Sequence, residues 1–248
     1  MRISSAVLVV VVASMFSCAD SQTGDGGKLR FGQVLQYAET SDFTASIAAG
    51  QPMPLGVQSP TKSALLNDYS YLSSTLTIAR KSDGSAVAVT STGTGKFEAT
   101  FPAAGAYVLT ANASGVEDTL EVTVADLAQL RLARVQRRIV TNVASGSCSA
   151  LLTGSDEVTE LKSNQSLHAA VVAADSSGSP LVGKMELSFV EAGLRASKTI
   201  DVNANSFSFA PVEGFTGAAK VTVKDELSGK SFELGVTVTA DVASCPGK

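Results

Sequence analysis

The side chains that most often carry out catalysis or bind metals are scarce in this chain of 248 residues. There is one histidine, His168, and no Cys, Asp or Glu lies between Leu161 and Ala174. A zinc site needs several ligands and a Ser-His-Asp triad needs a histidine base, so either would depend on His168 alone. We therefore expect His168 to be a surface or partly buried residue. We expect no catalytic residue, no cofactor and no metal site.

Adjacent carboxylates occur at Glu117-Asp118 and Asp156-Glu157. Glycosidases use two carboxylates that face each other across a cleft. Neighbouring residues point to opposite faces of a strand, and both pairs lie in predicted turns. We expect these side chains to be solvated charges.

Four arginines, Arg131, Arg134, Arg137 and Arg138, concentrate positive charge in a chain whose net charge is −4. One hypothesis is that they contact anionic surface polysaccharide or lipid head groups. The alternative is a solvated strand or short helix at a domain junction, with the arginine stems covering apolar neighbours. The acidic balance of the whole chain argues against nucleic acid as a partner.

Tyr69 and Tyr71 are two residues apart, so on a strand they would share one face. Ladders of aromatic rings bind carbohydrate in many modules, but they usually use tryptophan. This chain has no Trp, and aromatic residues make up 6% of it. We expect the two tyrosines to pack in the core or against a loop.

The N-terminus has the pattern of an export signal. Arg2 precedes an apolar run from Ala6 to Phe16, which is too short to cross a hydrocarbon core roughly 30 Å thick. Cys18 ends this run, and the polar, Gly-rich stretch from Ala19 to Gly27 follows. Residues 1–18 thus resemble a bacterial lipoprotein signal, which implies acyl chains on Cys18 and a flexible tether at 19–30. The alternative is cleavage after Ala19, which would release a secreted or periplasmic protein.

The other two cysteines, Cys148 and Cys245, are an even pair in an oxidising compartment. A bridge between them would close a long loop and contribute about 4–5 kcal/mol in the chain-entropy model. A reactive thiol pair is the alternative, but the spacing is not CxxC and no histidine is near. We predict a structural disulfide.

The sequence pattern of the rest of the chain is typical of an all-β protein. Hydrophobic residues make up 44% of it and charged residues 17%, so it can bury a core. Many short β-rich runs separated by turn residues indicate a β-sandwich. Both 119–124 and 234–239 look like a last strand, so we predict two tandem domains at 31–126 and 127–248. The predicted strands are Gly32–Ala38, Thr75–Ala79, Ala86–Thr90, Lys96–Phe101, Ala106–Ala111, Thr119–Val124, Leu167–Ala174, Met185–Val190, Thr199–Val202, Phe207–Phe209, Lys220–Val223 and Phe232–Thr239.

A faint repeat supports two copies of one architecture. Gly50-Gln51 is followed by Val57, and Asn164-Gln165 is followed by Val171 at the same distance. The segment 102–105 likewise recurs as 211–214. The run from Ala104 to Ala111 resembles the G-x-Y-x-hydrophobic-x-A strand of immunoglobulin-like domains. This resemblance implies that Tyr107 hydrogen-bonds the backbone upstream of it, as a tyrosine corner.

Residues 207–225 are similar to the repeated module of bacterial cadherin-like and related immunoglobulin-like surface domains. The DxD and DxND linkers that bind calcium in cadherins are missing. The resemblance therefore implies the fold and says little about calcium.

An anchor, a tether and tandem sandwiches favour a non-enzymatic lipoprotein of the cell envelope that acts as a binding, adhesion or spacer module. The alternative is an accessory structural subunit of a larger outer-membrane or cell-surface complex. The expected partners are the membrane, through the lipid anchor, and an unidentified envelope protein or surface polysaccharide. The expected location is the outer membrane, the cell surface or the periplasmic face.

Overall fold

The computed structural model describes residues 22–34, 40–41, 45–62, 69–133, 137–144, 146–152, 157–198, 205–243 and 245. Four subjects of the sequence predictions lie outside these residues: the signal segment with Cys18, the carboxylate Asp156, the arginine Arg134 and the strand Thr199–Val202. Every regular element in the described ranges is a β-strand. Over the same ranges there is no helix that is long and apolar enough to span a bilayer.

The N-terminal half comprises the strands up to residue 125. They are β1 (Gln22–Thr23), β2 (Arg30–Val34), β3 (Thr40–Ser41), β4 (Ser46–Ala48), β5 (Pro52–Lys62), β6 (Tyr69–Tyr71), β7 (Thr75–Arg80), β8 (Ala86–Val87), β9 (Val89–Gly93), β10 (Lys96–Thr100), β11 (Gly105–Ala113) and β12 (Val116–Ala125).

The C-terminal half begins at residue 129. Its strands are β13 (Gln129–Leu132), β14 (Arg138–Val143), β15 (Gly146–Leu151), β16 (Glu160–Lys162), β17 (Gln165–Ala174), β18 (Pro180–Val182), β19 (Leu187–Ala192), β20 (Leu194–Lys198), β21 (Ser206–Pro211), β22 (Gly217–Asp225) and β23 (Ser231–Thr239).

The strand order is that of an immunoglobulin-like sandwich, and it occurs twice. In the N-terminal half, β2-β5-β10-β9 form one sheet and β7-β11-β12 form the centre of the other. In the C-terminal half, β14-β17-β21-β20 and β19-β22-β23 repeat this order. Both match the A-B-E-D and C-F-G sheets of immunoglobulin domains. The all-β, immunoglobulin-like prediction is therefore confirmed, whereas the boundaries at 31–126 and 127–248 stay a prediction.

The first core shows why these residues form strands. Buried and partly exposed side chains alternate along β11, and this period of two buries Tyr107 and Leu109. The Tyr107 hydroxyl donates to the carbonyl of Ala103 at 2.9 Å, so the predicted tyrosine corner is confirmed. The ring meets Phe101 edge-on, with ring centroids 5.1 Å apart.

The second core contains three aromatic rings, two on β21 beside β17 and one on β19 of the opposite sheet. Phe207 lies 4.9 Å from Phe189 and 6.3 Å from Phe209, measured between ring centroids. Leu167 is fully buried in this core, and the next residue, His168, points to the other face of the strand.

The disulfide predicted between Cys148 and Cys245 is also confirmed. The two Cα atoms are 6.1 Å apart. Cys148 lies opposite the buried Thr141 in the β14–β15 hairpin, so the bridge lies on the inner side of this sheet edge. It ties the C-terminal end of the chain to β15, whose other edge pairs with no described strand.

Candidate functional sites

His168 lies in the middle of a flat sheet face. Its Nε2 atom is 3.1 Å from Ser166 Oγ and 3.2 Å from Ser208 Oγ, and the ring is half-buried. Across the parts of the chain that the structure describes, no three His, Cys, Asp or Glu side chains gather as a metal site requires. The arrangement can donate and accept hydrogen bonds at a surface.

An open groove of about 530 Å³ lies on the outer side of β22 and β23. Its floor is made of small side chains, including Ala218 and Gly235. Its charged pair, Lys220 and Glu233, is joined by an ion pair of 2.8 Å. A groove with one carboxylate that is already paired has neither the two facing acids of a glycosidase nor a nucleophile with a base.

Asp118 corrects the expectation that the paired carboxylates are solvated. Glu117 is exposed, but Asp118 is only 4% exposed. Its carboxylate accepts the backbone N–H groups of Gly26, Lys28 and Leu29 at 2.6, 2.7 and 2.9 Å. The expectation was wrong because a segment far upstream in the sequence folds over this carboxylate. We call the contact between residues 24–29 and Asp118 the clamp.

The electrostatics of the clamp favour the ionised carboxylate. Desolvation by burial raises the pKa of Asp118, but the N–H bonds from Leu29, Lys28, Gly26 and Thr119 together lower it more. The pKa of Asp118 therefore lies below its usual value. The clamp also explains the glycines of this segment: a Cβ atom on Gly24 or Gly26 would lie 2.6 or 2.7 Å from the carboxylate. The Gly-rich sequence of the predicted tether was the one signal that could have indicated this close approach.

Three arginines of the cluster, Arg131, Arg137 and Arg138, lie in the described ranges, and their surroundings differ. Arg131 donates to the backbone carbonyls of Gly178 and Leu132 at 2.8 and 3.3 Å. Arg137 is 7% exposed, so its stem is packed as the alternative hypothesis expects. Arg138 is exposed and lies opposite His168 in the β14–β17 register.

Tyr69 and Tyr71 are half-buried, and cations lie over their rings. The guanidinium of Arg30 is 3.6 Å from the centroid of Tyr69, and Lys96 Nζ is 4.5 Å from that of Tyr71. Such contacts contribute about 0.5–2 kcal/mol each. The rings serve packing rather than an open platform for sugars.

A buried polar contact links the two halves, and sequence reasoning missed it. Asp225 is fully buried at the end of β22, and its carboxylate accepts the side-chain N–H of Gln51 at 2.8 Å. It also accepts the backbone N–H groups of Glu186 and Ser228 at 2.9 and 3.0 Å. Gln51 is 1% exposed. The bond therefore joins a residue before β5 to the last strands of the chain.

Backbone pairing and apolar packing reinforce this link. Strand β4 runs parallel to both β12 and β18, so one sheet passes from one half into the other. The N–H of Lys184 donates to the carbonyl of Pro52 at 2.8 Å. A small apolar cluster lies beside these bonds and consists of Ala48, Leu130, Ala173 and Leu181. We call this set of contacts the joint.

Comparison with known proteins gives structural similarity only. No family model matches the chain, and no curated protein matches it. Domains 5–6 of the S-layer protein SbsC are 15% identical over 80% of this chain and 95% of that chain, with a TM-score of 0.29. Invasin, a bacterial integrin-binding protein, is 14% identical over 86% of this chain and 40% of its own, with a TM-score of 0.29. A chimeric titin Z1Z2 is 13% identical over 86% and 97%, with a TM-score of 0.30. The immunoglobulin-like assignment rests on the strand order and the tyrosine corner.

Proposed function

We propose that the protein is a non-enzymatic spacer and binding module of the cell envelope, held at a membrane by acyl chains on Cys18. The observation that carries the proposal is the joint. Movement between neighbouring domains is the default unless the interface is extensive. Here a continuous sheet, a buried hydrogen bond and an apolar cluster all cross from one half to the other.

The connection between the halves is also short. Three residues, 126–128, separate β12 from β13, and the N–H of Ala128 donates to the carbonyl of Ala174 at 2.9 Å. A stiff pair of sandwiches keeps its far end at a fixed distance from its attachment point, which is the property that a spacer needs. An enzyme that works at a domain interface needs a cleft there, whereas the joint is filled by packed side chains.

The clamp supports an attachment point close to the N-terminal half. Cys18 precedes Gly24 by six residues. Even a fully extended chain of that length reaches only about 20 Å. The proposed anchor therefore holds the N-terminal half near the bilayer, while the C-terminal half is the part that is presented outward. Two or three acyl chains make such an anchor firm, because each buried CH₂ contributes about 0.8 kcal/mol.

Mass spectrometry of the mature N-terminus, from protein expressed in a bacterium with lipoprotein processing, tests the anchor. We expect an acylated Cys18 as residue one and recovery of the protein in the membrane fraction. In Cys18→Ser we expect no acyl mass and release of the protein from membranes. A wild-type chain that begins at a free Asp20 would contradict the anchor.

A further inference from the structure

Charged side chains are distributed unevenly over the strands of the C-terminal half. The strands β14, β15, β17, β20 and β21, which pair side by side in the order β15-β14-β17-β21-β20, contain no Asp or Glu. Their ionisable nitrogen side chains are Arg138, His168, Arg195 and Lys198. The opposite sheet does contain carboxylates, which are Glu160, Glu191, Asp225 and Glu233, and of these Glu191 accepts the backbone N–H of Ala196 on β20 at 2.8 Å. This separation is notable in a chain with 23 acidic and 19 basic residues.

The strand register aligns polar side chains in one row across this sheet. Arg138 lies opposite His168, His168 opposite Ser208, and Ser208 opposite Ser197. Leu151 continues the row beyond Arg138 and is 66% exposed.

The row points away from the core. The residues next to it along each strand pack into the second core, and they include Leu167 and Phe209, which are fully buried. Successive side chains of a strand alternate between its faces, so the row lies on the outer side. We call this side the outward face.

The two arginines of the outward face are available to a ligand. Arg138 and Arg195 are exposed, and neither side chain makes a hydrogen bond or an ion pair with any residue in the described ranges. On the opposite sheet, Lys220 and Lys224 pair with Glu233 and Glu226 at 2.8 and 2.6 Å. Lys220 and Lys224 are thus neutralised by carboxylates of the protein, whereas Arg138 and Arg195 have no such partner among the described residues.

The arrangement fits a polymer better than a small anion. Arg138 is on β14 and Arg195 is on β20, which are three strand spacings or about 14 Å apart. One small anion cannot bridge that distance, but an extended chain lying across the sheet can. Guanidinium groups bind carboxylate, phosphate or sulfate through paired N–H donors. The hydroxyls of Ser197 and Ser208, which lie between the arginines, can exchange hydrogen bonds with sugar hydroxyls.

We propose that the outward face binds an anionic polysaccharide, with Arg138 and Arg195 contacting its acidic groups and Ser197 and Ser208 contacting its hydroxyls. The choice of polysaccharide over a lipid surface rests on the proposed function, because the anchored tether is clamped to the other half of the molecule. Arg138 thus keeps the role of anionic-ligand contact that its sequence suggested. Its partner Arg195 comes from outside the arginine cluster.

Titration calorimetry with polygalacturonate tests this proposal on the full-length chain in detergent. Neutral amylose and glycerophosphoglycerol, the water-soluble headgroup of phosphatidylglycerol, are the comparison ligands, because neither can take up the acyl anchor. We expect binding to polygalacturonate that weakens as salt is raised, because the contacts are solvent-exposed charges. We expect little binding to amylose or to the headgroup. Binding to the headgroup that exceeds binding to polygalacturonate would overturn the choice of ligand, and so would no binding to polygalacturonate at all.

A matched pair of variants separates a site from a general charge effect. Arg138→Gln/Arg195→Gln and Lys220→Gln/Lys224→Gln each remove two positive charges from exposed positions of the same half. We expect the arginine variant to bind polygalacturonate about tenfold more weakly and the lysine variant to bind nearly as the wild type does. Equal weakening in both would overturn the proposal. All four positions are on the surface, and thermal melts check that each variant is folded. The acylation test of Cys18 is independent of this result, so each proposal can fail alone.

Discussion

A single carboxylate fixes the N-terminal segment to the first sandwich. Asp118 receives four backbone N–H groups, of which three come from residues 26–29. Hydrogen bonds to a charged acceptor contribute about 1.5–3 kcal/mol, and buried donors left without a partner cost a similar amount. The clamp therefore controls how much of the predicted tether is free.

Asp118→Asn should release this segment. The amide keeps the shape of the side chain, but its NH₂ group faces backbone donors, and we expect the free energy of unfolding to fall by about 2–3 kcal/mol. Chemical denaturation measures this change, and hydrogen exchange should show faster exchange at Lys28 and Leu29. The matched control is Glu117→Gln, which removes the same charge from an exposed neighbour and should change stability little. Equal stability of the two variants would show that the clamp contributes nothing.

The depressed pKa of Asp118 gives the clamp a pH dependence with a definite sign. The unfolded carboxyl titrates near its ordinary pKa of about 3.9, and the folded one titrates lower. The stability from ionised Asp118 is thus fully present above about pH 4 and is lost as the pH falls through the folded pKa. We expect wild-type stability to decrease more steeply than that of Asp118→Asn as the pH is lowered below about 4. Parallel curves from denaturant titrations would contradict this.

At the scale of the strand, segments in which apolar and polar residues alternate regularly were predictable. Segments in which prolines interrupt this alternation were not. Runs such as 106–111 and 167–174 have a clear period of two, and the structure contains β11 and β17 there. The longest strand, β5, was missed because Pro52, Pro54 and Pro60 are typical of turns. Strand β5 pairs with β2 only from Leu55 onward, whereas its pairing with β10 extends back to Pro52. At Pro52 and Pro54 the side of β5 that faces away from β10 therefore has no β2 residue opposite it. A backbone N–H group is not needed on that side, so the two prolines are tolerated.

The strand β15 depends on the disulfide more than on packing. Nearly all of its side chains are exposed, and β14 is its only described neighbour. Replacing both Cys148 and Cys245 by Ala should lower the free energy of unfolding by about 4–5 kcal/mol in the chain-entropy model. Denaturation under non-reducing conditions measures this, with Cys18→Ser as the control that leaves the bridge intact. If the free energy of unfolding fell by less than about 1 kcal/mol, other contacts would already hold the C-terminal end in place without the disulfide.

At the scale of the whole molecule, the repeated architecture was predictable and the joint was not. The repeat that begins at Gly50 and Asn164 falls just before β5 and β17, which are equivalent strands of the two sandwiches. The joint depends on Gln51 meeting Asp225, and no local pattern connects residues so far apart in sequence. The burial of Asp118 and Asp225 was not predictable either, because carboxylates are usually exposed to solvent.

Gln51→Glu tests the joint by removing the buried hydrogen bond between Gln51 and Asp225. The new carboxylate would face Asp225 in a buried site, and such an uncompensated charge costs roughly 3 kcal/mol. We expect faster hydrogen exchange at Lys184 and Glu186, whose N–H groups bond across and beside the joint. Exchange within β11 should be unchanged. Gln129→Glu, at an exposed position, is the matched control. Unchanged exchange at both amides in Gln51→Glu would show that the contact is not needed.

The stiffness of the pair is tested most directly by pulsed electron resonance between two spin labels, one in each half. Thr92 on β9 and Ser231 on β23 are exposed, and non-natural amino acids can carry the labels there without touching the cysteines. We expect one narrow distance distribution in the wild type and a broad one in Gln51→Glu. A wild-type distribution as broad as that of the variant would contradict a single stiff body, and with it the spacer function.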